Sequence, residues 1–407
     1  MRILTLNFNL KGVGTYRRSF YFSRELARAG HDVTMFTVSR GSRFRSRSYY
    51  KSDWIGESPS RDVGRASVKV VEGPNLGYKW LPGWGSGPLD ISARIAELLS
   101  TRYDVVFGFE HHPNVSWPVY ATHPLVRYRY ISDWCDWFAG SANSFRGWKM
   151  AHRLDEFFEN RIRRKADLVT VTSHRLWERA ASIGIPLESL VRIPEGAATD
   201  YIAPMDKGAA RSKLGLAAGA HVVAAVTDSG IGRTLRIFHE IARRDPRAAL
   251  LVIGRIQPDL VQIAKSLGVG ERVHVAGWVS DQDYPLYLAA ADVCISPLYD
   301  NTNDQARWPA KILDYLSAGR AVVTNDVGEA GALFRARRVG ALAPHDEQGF
   351  AESTLDLLCD PAEATAMGAA ARSLMLREWD WSHRGPAIEA AATGKDWAPW
   401  QHPPVAA

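Results

Sequence analysis

Short apolar runs alternate with stretches of helical periodicity along the whole 407-residue chain. This alternation is typical of parallel β-sheets that helices cover on both faces. The predicted helices include Tyr16–Ala29 and the charged segment Trp148–Lys165. The pattern predicts an α/β fold with two doubly wound, Rossmann-like domains, whose strands are Ile3–Asn7, Asp32–Val38, Val68–Val71, Val105–Phe109, Tyr128–Ser132, Leu168–Thr172, Val222–Thr227, Ala249–Gly254, Val273–Ala276, Val293–Ser296 and Ala321–Thr324.

The chain is longer than one hydrophobic core usually serves, so two domains are expected. Turn-forming residues cluster from Ile193 to Asp200 and continue to Lys207. We therefore predict an N-terminal domain at residues 1–195 and a C-terminal domain at 196–380. Residues 381–407 form a C-terminal helix and tail, for which a return to the N-terminal domain is one arrangement. Residues 40–75 lack periodicity and predict a long loop with one strand.

Composition narrows the class of protein. No apolar run reaches the roughly 18 to 20 residues that cross a bilayer, and three scattered cysteines do not suggest a disulfide framework, so we expect a cytoplasmic protein. Lysine and arginine number 50 against 44 acids, a net charge of +6, which favours an anionic partner. The basic run Arg40–Arg47 is either a solvated loop or a peripheral contact with an anionic acceptor or membrane. No nucleic-acid motif accompanies this charge.

The first strand is followed by a glycine-containing loop that leads into a helix. Ligands of doubly wound sheets bind at the carboxyl ends of strands, and a helix start favours anions. A dinucleotide fingerprint would need a glycine where Arg17 stands and an acid after the second strand, and both are missing. The loop is therefore predicted to face a phosphate, with a purely structural turn as the alternative, through Gly12, Val13, Gly14 and Thr15.

Two further strand ends in the first half carry polar and aromatic side chains. His111 and His112 follow one strand; metal ligation is conceivable, but neighbouring side chains are expected to diverge and no clustered ligands are evident. Carboxylates accept hydrogen bonds from sugar hydroxyls and indole rings stack on sugars, although a capped helix start is an equal alternative. We therefore expect catalytic roles for Asp133 and Asp136, and acceptor contacts from His111, His112, Trp134 and Trp137.

The segment DNTNDQARWPAKILDYLSAGRAVVTNDVG, residues 300–328, is the most informative. It resembles the family 4, or group 1, glycosyltransferases of the GT-B fold, in which two acids eight positions apart precede an Ala-Gly helix end and a Val-Val strand. The resemblance places Asp314 as the second acid, which would bind the ribose hydroxyls. The first acid is replaced by Ala306. Asp304, Gln305 and Arg307 are alternatives for holding the sugar and phosphates.

Weaker matches occur in the family's order along the chain. Gly277, Trp278 and Val279 resemble its base-binding turn, and Thr227 ends the strand before the loop that binds phosphate. The family's diphosphate-binding arginine is matched by Arg233, but its lysine is not matched at the usual spacing. Arg236 or Lys311 could take the place of this lysine in neutralising the diphosphate. The predicted catalytic cations are Arg233 and Arg307.

The resemblance implies transfer of a hexose from a UDP-sugar or GDP-sugar to a hydroxyl, with retention, without metal or other cofactor, across an interdomain cleft. Sugars, lipid-linked sugars and small molecules are all expected acceptors. Two alternatives remain from the departures noted above: a non-catalytic nucleotide-binding or carbohydrate-binding protein of the same fold, and a nucleotide-sugar epimerase. The sequence predicts no oligomeric state.

Overall fold

The computed structural model describes residues 1–61, 66–75, 87–138, 149–227 and 230–395. These residues form two compact units. The first contains Met1–Glu195, Gln305–Trp308 and the described residues from Trp381 onward, and the second contains Gly196–Asp304 and Pro309–Asp380. The predicted tail after Lys395 lies outside the described residues. Among the described helices, none combines the length and apolar character needed to cross a bilayer.

The first unit is built on an eight-stranded sheet with the order β3-β4-β2-β1-β5-β6-β7-β8. Every pairing is parallel except β3 with β4. The strands are β1 (Arg2–Leu10), β2 (Asp32–Val38), β3 (Arg47–Lys51), β4 (Val68–Gly73), β5 (Val105–Phe109), β6 (Arg129–Trp134), β7 (Leu168–Val171) and β8 (Leu190–Arg192). The helices are α1 (Tyr16–Arg28), α2 (Pro88–Ser100), α3 (Pro113–Thr122), α4 (Lys149–Lys165), α5 (His174–Ser182) and α15 (Gly385–Thr393).

The centre of this sheet is almost entirely buried. Strand β1 lies between β2 and β5, with Leu4 opposite both Thr34 and Val106. Because helices cover both faces, the strands contain near-continuous apolar runs. The chain order reverses at β1, so the carboxyl ends of β1 and β5 form the switch point where doubly wound sheets bind ligands.

The second unit contains a fully parallel six-stranded sheet with the order β11-β10-β9-β12-β13-β14. Its strands are β9 (His221–Val226), β10 (Ala248–Ile253), β11 (Val273–Gly277), β12 (Val293–Ser296), β13 (Ala321–Asn325) and β14 (Gly340–Ala343). Its helices are α6 (Lys207–Leu214), α7 (Ile231–Arg244), α8 (Leu260–Ser266), α9 (Tyr284–Ala289), α11 (Ala310–Ser317), α12 (Gly328–Ala336), α13 (Glu347–Cys359) and α14 (Pro361–Leu374); the short α10 (Thr302–Ala306) ends in the first unit. The switch point lies between β9 and β12.

All eleven predicted strands are present, with ends that shift by up to three residues. Three strands were missed. The antiparallel strand β3 lies at the sheet edge and carries charged residues, so its pattern matches a loop. Strand β8 has only three residues, and the four residues of β14, Gly-Ala-Leu-Ala, include no β-branched or aromatic side chain that would indicate a strand. Of the predicted charged helix, Trp148 lies outside the described residues and the helix begins at Lys149.

Candidate active site

A buried cation lies at the switch point of the second sheet. Arg233, in the first turn of α7, donates hydrogen bonds to the carbonyl oxygens of Leu298 (2.6 Å) and His345 (2.8 Å). Its guanidinium lies 4.6 Å from the centre of the Tyr299 ring. Among the described residues, no carboxylate lies within 4 Å of Arg233. Burial lowers the pKa of Arg233, yet an arginine stays charged, so this end of the sheet presents a positive charge that is not neutralised by an ion pair.

Helix α11 contributes a second cation and a carboxylate to the same end of the sheet. Lys311 donates a hydrogen bond to the Val226 carbonyl oxygen at the end of β9 (3.1 Å). Asp314 lies one turn further along the helix and is buried, where it accepts a hydrogen bond from the Tyr284 hydroxyl (3.0 Å). The sequence did not indicate the role of Tyr284, because that contact depends on how α9 and α11 pack.

The neighbouring strand ends require close backbone packing. A Cβ atom at Gly254 would lie 2.5 Å from the Thr227 carbonyl oxygen, and the Gly254 amide donates to the Gly277 carbonyl oxygen (2.8 Å). Gly277 has a φ of 71°, which favours glycine. Trp278 follows with 55% of its surface exposed, and Val279 is half-buried. The predicted base-binding turn therefore lies at the carboxyl edge of the sheet, beside the end of β10.

The segment that replaces the family's first acid has a structural explanation. Asp304 is buried and its Oδ2 accepts a hydrogen bond from the Tyr299 amide (2.8 Å), so one oxygen fixes the loop after β12. Ala306 is buried in the first unit in an apolar cluster with Trp134 and Leu176. An acid at this position would lose its hydration there. Gln305 and Arg307 are half-buried and belong to the first unit.

The glycine loop after β1 has the expected geometry for close approach. Gly12 and Gly14 have φ values of 75° and 54°. A Cβ atom at Gly14 would lie 2.4 Å from Asn9 Nδ2. Thr15 is buried and donates its hydroxyl to Asn7 Oδ1 (2.9 Å), while Val13 is half-buried. Asn7 and Asn9 therefore contact the loop on its buried side, and Gly14 is its exposed residue.

The two histidines after β5 point into the protein. His111 and His112 are 2% and 8% exposed, and their rings stack with centroids 5.0 Å apart. His112 also stacks on Phe8 (3.9 Å). The expectation that these side chains diverge without clustered ligands is wrong, because His111 Nδ1 lies 3.6 Å from the Glu159 carboxylate. Glu110, His111 and Glu159 form a buried group with ligand atoms within 4.8 Å of one another, which His112 does not join.

Glu110 connects the loop after β6 to the core, a role that its position in the sequence did not indicate. It has a φ of 66°, and its Oε1 accepts hydrogen bonds from the amides of Cys135 (2.7 Å) and Asp136 (3.0 Å). Its Oε2 accepts from Arg163 (2.8 Å). Burial raises the pKa of Glu110 and Arg163 opposes this rise. A left-handed conformation is costly for glutamate, so these contacts must hold it.

Asp133 and Trp134 occupy internal positions. Asp133 is fully buried and accepts hydrogen bonds from Arg18 Nε (2.8 Å), Arg18 Nη2 (2.9 Å) and the Thr170 hydroxyl (2.6 Å). Trp134 is fully buried and donates its indole N–H to the Asp136 carbonyl oxygen. Their burial does not support the predicted contacts with a sugar, because both carboxylate oxygens and the indole already have internal partners.

Asp136 and Trp137 are half-buried and remain candidates at this strand end. The guanidinium groups of Arg175 and Arg179 lie 5.8 and 5.1 Å from the centre of the Trp137 ring. Both cations are close enough for cation–π contacts with Trp137, so a sugar that stacked on this ring would compete with them.

The comparisons with known proteins agree with this architecture. A sequence model described as "Glycosyl transferase 4-like domain" matches residues 11–196, and one described as "Glycosyl transferases group 1" matches residues 217–360. A "GDP-mannose-dependent alpha-(1-6)-phosphatidylinositol monomannoside mannosyltransferase" of Mycolicibacterium smegmatis is 29% identical over 58% of this chain and 64% of its own length. A protein with the same description from Mycobacterium tuberculosis (strain ATCC 25618 / H37Rv) is 26% identical over 84% of this chain and 88% of its own.

Solved structures match over nearly the whole chain. A sucrose-phosphate synthase from Thermosynechococcus elongatus has a TM-score of 0.74 and 18% identity, over 97% of this chain and 98% of that one. Anabaena Alr3699/HepE, solved in complex with UDP and glucose, has a TM-score of 0.69 and 15% identity, over 97% and 100%. The fold is the GT-B architecture, as predicted. The chain belongs to the group 1 family of glycosyltransferases, which confirms the resemblance seen in the sequence.

Proposed function

We propose that this protein transfers a hexosyl group, with retention, from a nucleoside diphosphate sugar to a hydroxyl of a sugar-containing acceptor. GDP-mannose is the favoured donor, because two relatives that each match 84% of the chain are described as GDP-mannose-dependent. A UDP-sugar is the second candidate, on account of the structural likeness to a protein solved with UDP and glucose. The observation that carries the proposal is the arrangement of Arg233, Lys311 and Asp314 around the switch point of the second sheet.

In this proposal the two cations bind the diphosphate and the carboxylate binds the ribose. Arg233 contacts only neutral acceptors among the described residues, so an incoming phosphate would supply the missing counter-charge. Lys311 is half-buried and flexible enough to exchange its carbonyl partner for a phosphate oxygen. Asp314, which accepts a hydrogen bond from the Tyr284 hydroxyl, would also accept hydrogen bonds from the ribose hydroxyls.

The chemical step then needs little from acidic or basic side chains. As the bond between the anomeric carbon and the β-phosphate oxygen breaks, negative charge grows on the diphosphate, where fixed cations stabilise it most. The acceptor oxygen forms the new bond on the same face, and the departing phosphate oxygen takes its proton. Asp133 is not needed for this route. We further propose that the reaction proceeds without a metal ion.

The acceptor is proposed to carry an anionic or lipid-linked group that contacts the basic segment Arg40–Arg47. Arg40 donates to the Lys11 carbonyl oxygen beside the glycine loop (2.7 Å), which places the segment next to the first unit's switch point. Phe44 is 77% exposed, and Arg45 beside it is also exposed. Exposed cations around an apolar side chain are suited to an anionic membrane surface. Phe44→Ser should therefore reduce cosedimentation with phosphatidylglycerol vesicles, and unchanged cosedimentation would contradict the proposed contact.

The donor site is tested by calorimetry with GDP, UDP and ADP. For the nucleotide that binds, Asp314→Asn should weaken affinity about tenfold to a hundredfold, because a hydrogen bond to a charged group contributes about 1.5–3 kcal/mol. Asp356→Asn, on the exposed face of α13, is the matched control and should bind as the wild type does.

Lys311→Met tests the diphosphate contact separately. It should weaken binding of the diphosphate about tenfold while leaving binding of the nucleoside unchanged, because only the phosphates meet the ammonium group. The control is Lys265→Met on α8, which removes an exposed lysine of the same unit. Equal affinity of both lysine variants for the diphosphate would overturn the assignment.

A further inference from the structure

A cavity lies at the amino ends of the strands in the second unit's sheet, opposite the end that carries the proposed donor site. Its volume is about 530 Å³, and its lining includes His221, Asp292 and Arg320. These residues stand at or just before the starts of β9, β12 and β13, whereas Arg233 and Lys311 lie at the carboxyl ends. Strands of four to six residues at roughly 3.3 Å each put about 13 to 20 Å between the two ends. The cavity is therefore separate from the proposed donor site.

One face of α14 forms a wall of this cavity. Thr365, Ala369 and Arg372 follow at spacings of four and three residues, which places them on one side of the helix. The backbone of α14 approaches the turn before β13 closely, because a Cβ atom at Gly368 would lie 2.2 Å from the Gly319 carbonyl oxygen. Thr365 and Ala369 are exposed to the cavity and to solvent.

Two guanidinium groups in the lining have only neutral partners. Arg320 donates to the carbonyl oxygens of Ala291 (3.1 Å) and Met205 (3.4 Å), and its buried Nε meets no hydrogen-bond acceptor in the described part of the chain. Arg372 donates to the carbonyl oxygens of Ile202 (2.7 Å) and Ser317 (3.0 Å). Among the described residues, neither arginine has a carboxylate within 4 Å. Each therefore retains a charge that an anion would neutralise.

The acid in the lining is already neutralised. Asp292 pairs with Lys207 (2.7 Å) and Arg211 (2.5 Å) and accepts from the Val222 amide (2.8 Å). Burial opposes ionisation of this carboxyl, but these hydrogen bonds and charges still lower its pKa. His221, at the edge, pairs with Asp245 (2.5 Å). The net charge facing the cavity is positive.

Apolar side chains also line the cavity, among them Leu357, Leu358 and the 48%-exposed Leu376. We propose that this cavity is a second ligand site, which binds a small amphipathic anion: a phosphate monoester carrying a short hydrocarbon group. The phosphate would meet Arg320 and Arg372, and the hydrocarbon group would cover the leucines. A mixed lining of this kind, with a few convergent polar groups in an apolar pocket, is typical of small-molecule sites.

Calorimetry with hexyl phosphate on the full chain tests this site. Hexyl phosphate should bind at least about tenfold more tightly than inorganic phosphate or 1-hexanol, a difference of ~1.4 kcal/mol. Its affinity should fall as salt rises and should be the same with saturating GDP present. Displacement by GDP would place the ligand at the donor site and overturn the proposal, as would equal binding of either reference compound.

Two variants on one helix test the location. Ala369→Trp fills the cavity from an exposed position without removing a hydrogen bond, and it should abolish binding of hexyl phosphate. Ala370→Trp adds the same ring at the next exposed position, which does not line the cavity, and should bind as the wild type does. Undiminished binding to a folded Ala369→Trp variant, with folding verified by circular dichroism, would refute the assignment.

Discussion

The buried pair of Arg18 and Asp133 leads to the sharpest stability prediction. The two side chains are 2% and 0% exposed and share two hydrogen bonds of 2.8 and 2.9 Å. Asp133→Asn keeps the shape of the carboxylate but leaves the Arg18 charge buried without this counter-charge. Losing one partner of a buried ion pair costs about 3–5 kcal/mol. The Glu195 carboxylate, 3.4 Å from Arg18, remains as a second counter-charge and favours the lower value. The carbonyl oxygens of Ile193 and Pro194, which also accept from Arg18, act in the same direction.

Differential scanning calorimetry provides the measurement. For a unit of about 200 residues, 1 kcal/mol shifts Tm by about 2–4 °C, so Asp133→Asn should lower the transition of the first unit by about 6–20 °C. The matched control is Asp32→Asn, which removes half-exposed ion pairs with Arg2 and Arg61 and should change stability by less than about 1 kcal/mol. If Asp133→Asn left Tm unchanged and abolished turnover, the structural role would be refuted and the predicted catalytic role restored.

Three other perturbations give separate tests. Burial raises the pKa of Glu195 from an ordinary value near 4.5 to about 7, with Arg18 opposing the rise and Asp133 adding to it. The folded protein therefore holds this proton more tightly than the unfolded chain does. The resulting stabilisation is complete below pH 4.5 and is lost as the pH rises to 7. Glu195→Gln should therefore flatten the loss of wild-type stability between pH 4.5 and 7 in denaturant titrations, and an unchanged pH profile would contradict this. Gly368→Ala should destabilise the second unit by more than about 1 kcal/mol, because the new Cβ atom would collide with the backbone at Gly319. The control Gly219→Ala should be neutral, because its Cβ atom would have no described neighbour within 4 Å. Equal unfolding midpoints for the two variants would refute the close approach. Turnover should persist in EDTA, and its abolition with recovery on added Mn²⁺ would direct attention to Glu110, His111 and Glu159.

The sequence predicted what local patterns encode. Runs of valine and isoleucine bounded by turn residues located the long parallel strands, because strands buried on both faces contain little else. Lys311 and Asp314 were identifiable because their spacing and the Ala-Gly helix end are local features. Arg233 was matched to the family's diphosphate-binding arginine by its position after the first strand of the second half, and it lies at the end of the sheet that Lys311 contacts.

Contacts between side chains that are far apart in the chain could not be predicted from the sequence. Asp133 looked available for a sugar, but Arg18, which is 115 positions away, takes both of its oxygens. The burial of His111 against Glu159 likewise depends on how α4 packs on the sheet. Ala306 was recognised as a departure from the family, while its place beside Trp134 was visible only in the folded unit. In each case the deciding partner is remote in sequence.

Release of a nucleoside diphosphate from its sugar conjugate tests the central claim most directly. The protein would be incubated with GDP-mannose, UDP-glucose or UDP-N-acetylglucosamine, with and without octyl α-mannoside, and the freed nucleotide and the product's anomeric configuration would be measured. We expect release from one donor, faster with acceptor, an α-linked product, and strong impairment by Lys311→Met but not by Lys265→Met. Absence of release from all three donors, or equal rates in the two lysine variants, would contradict it.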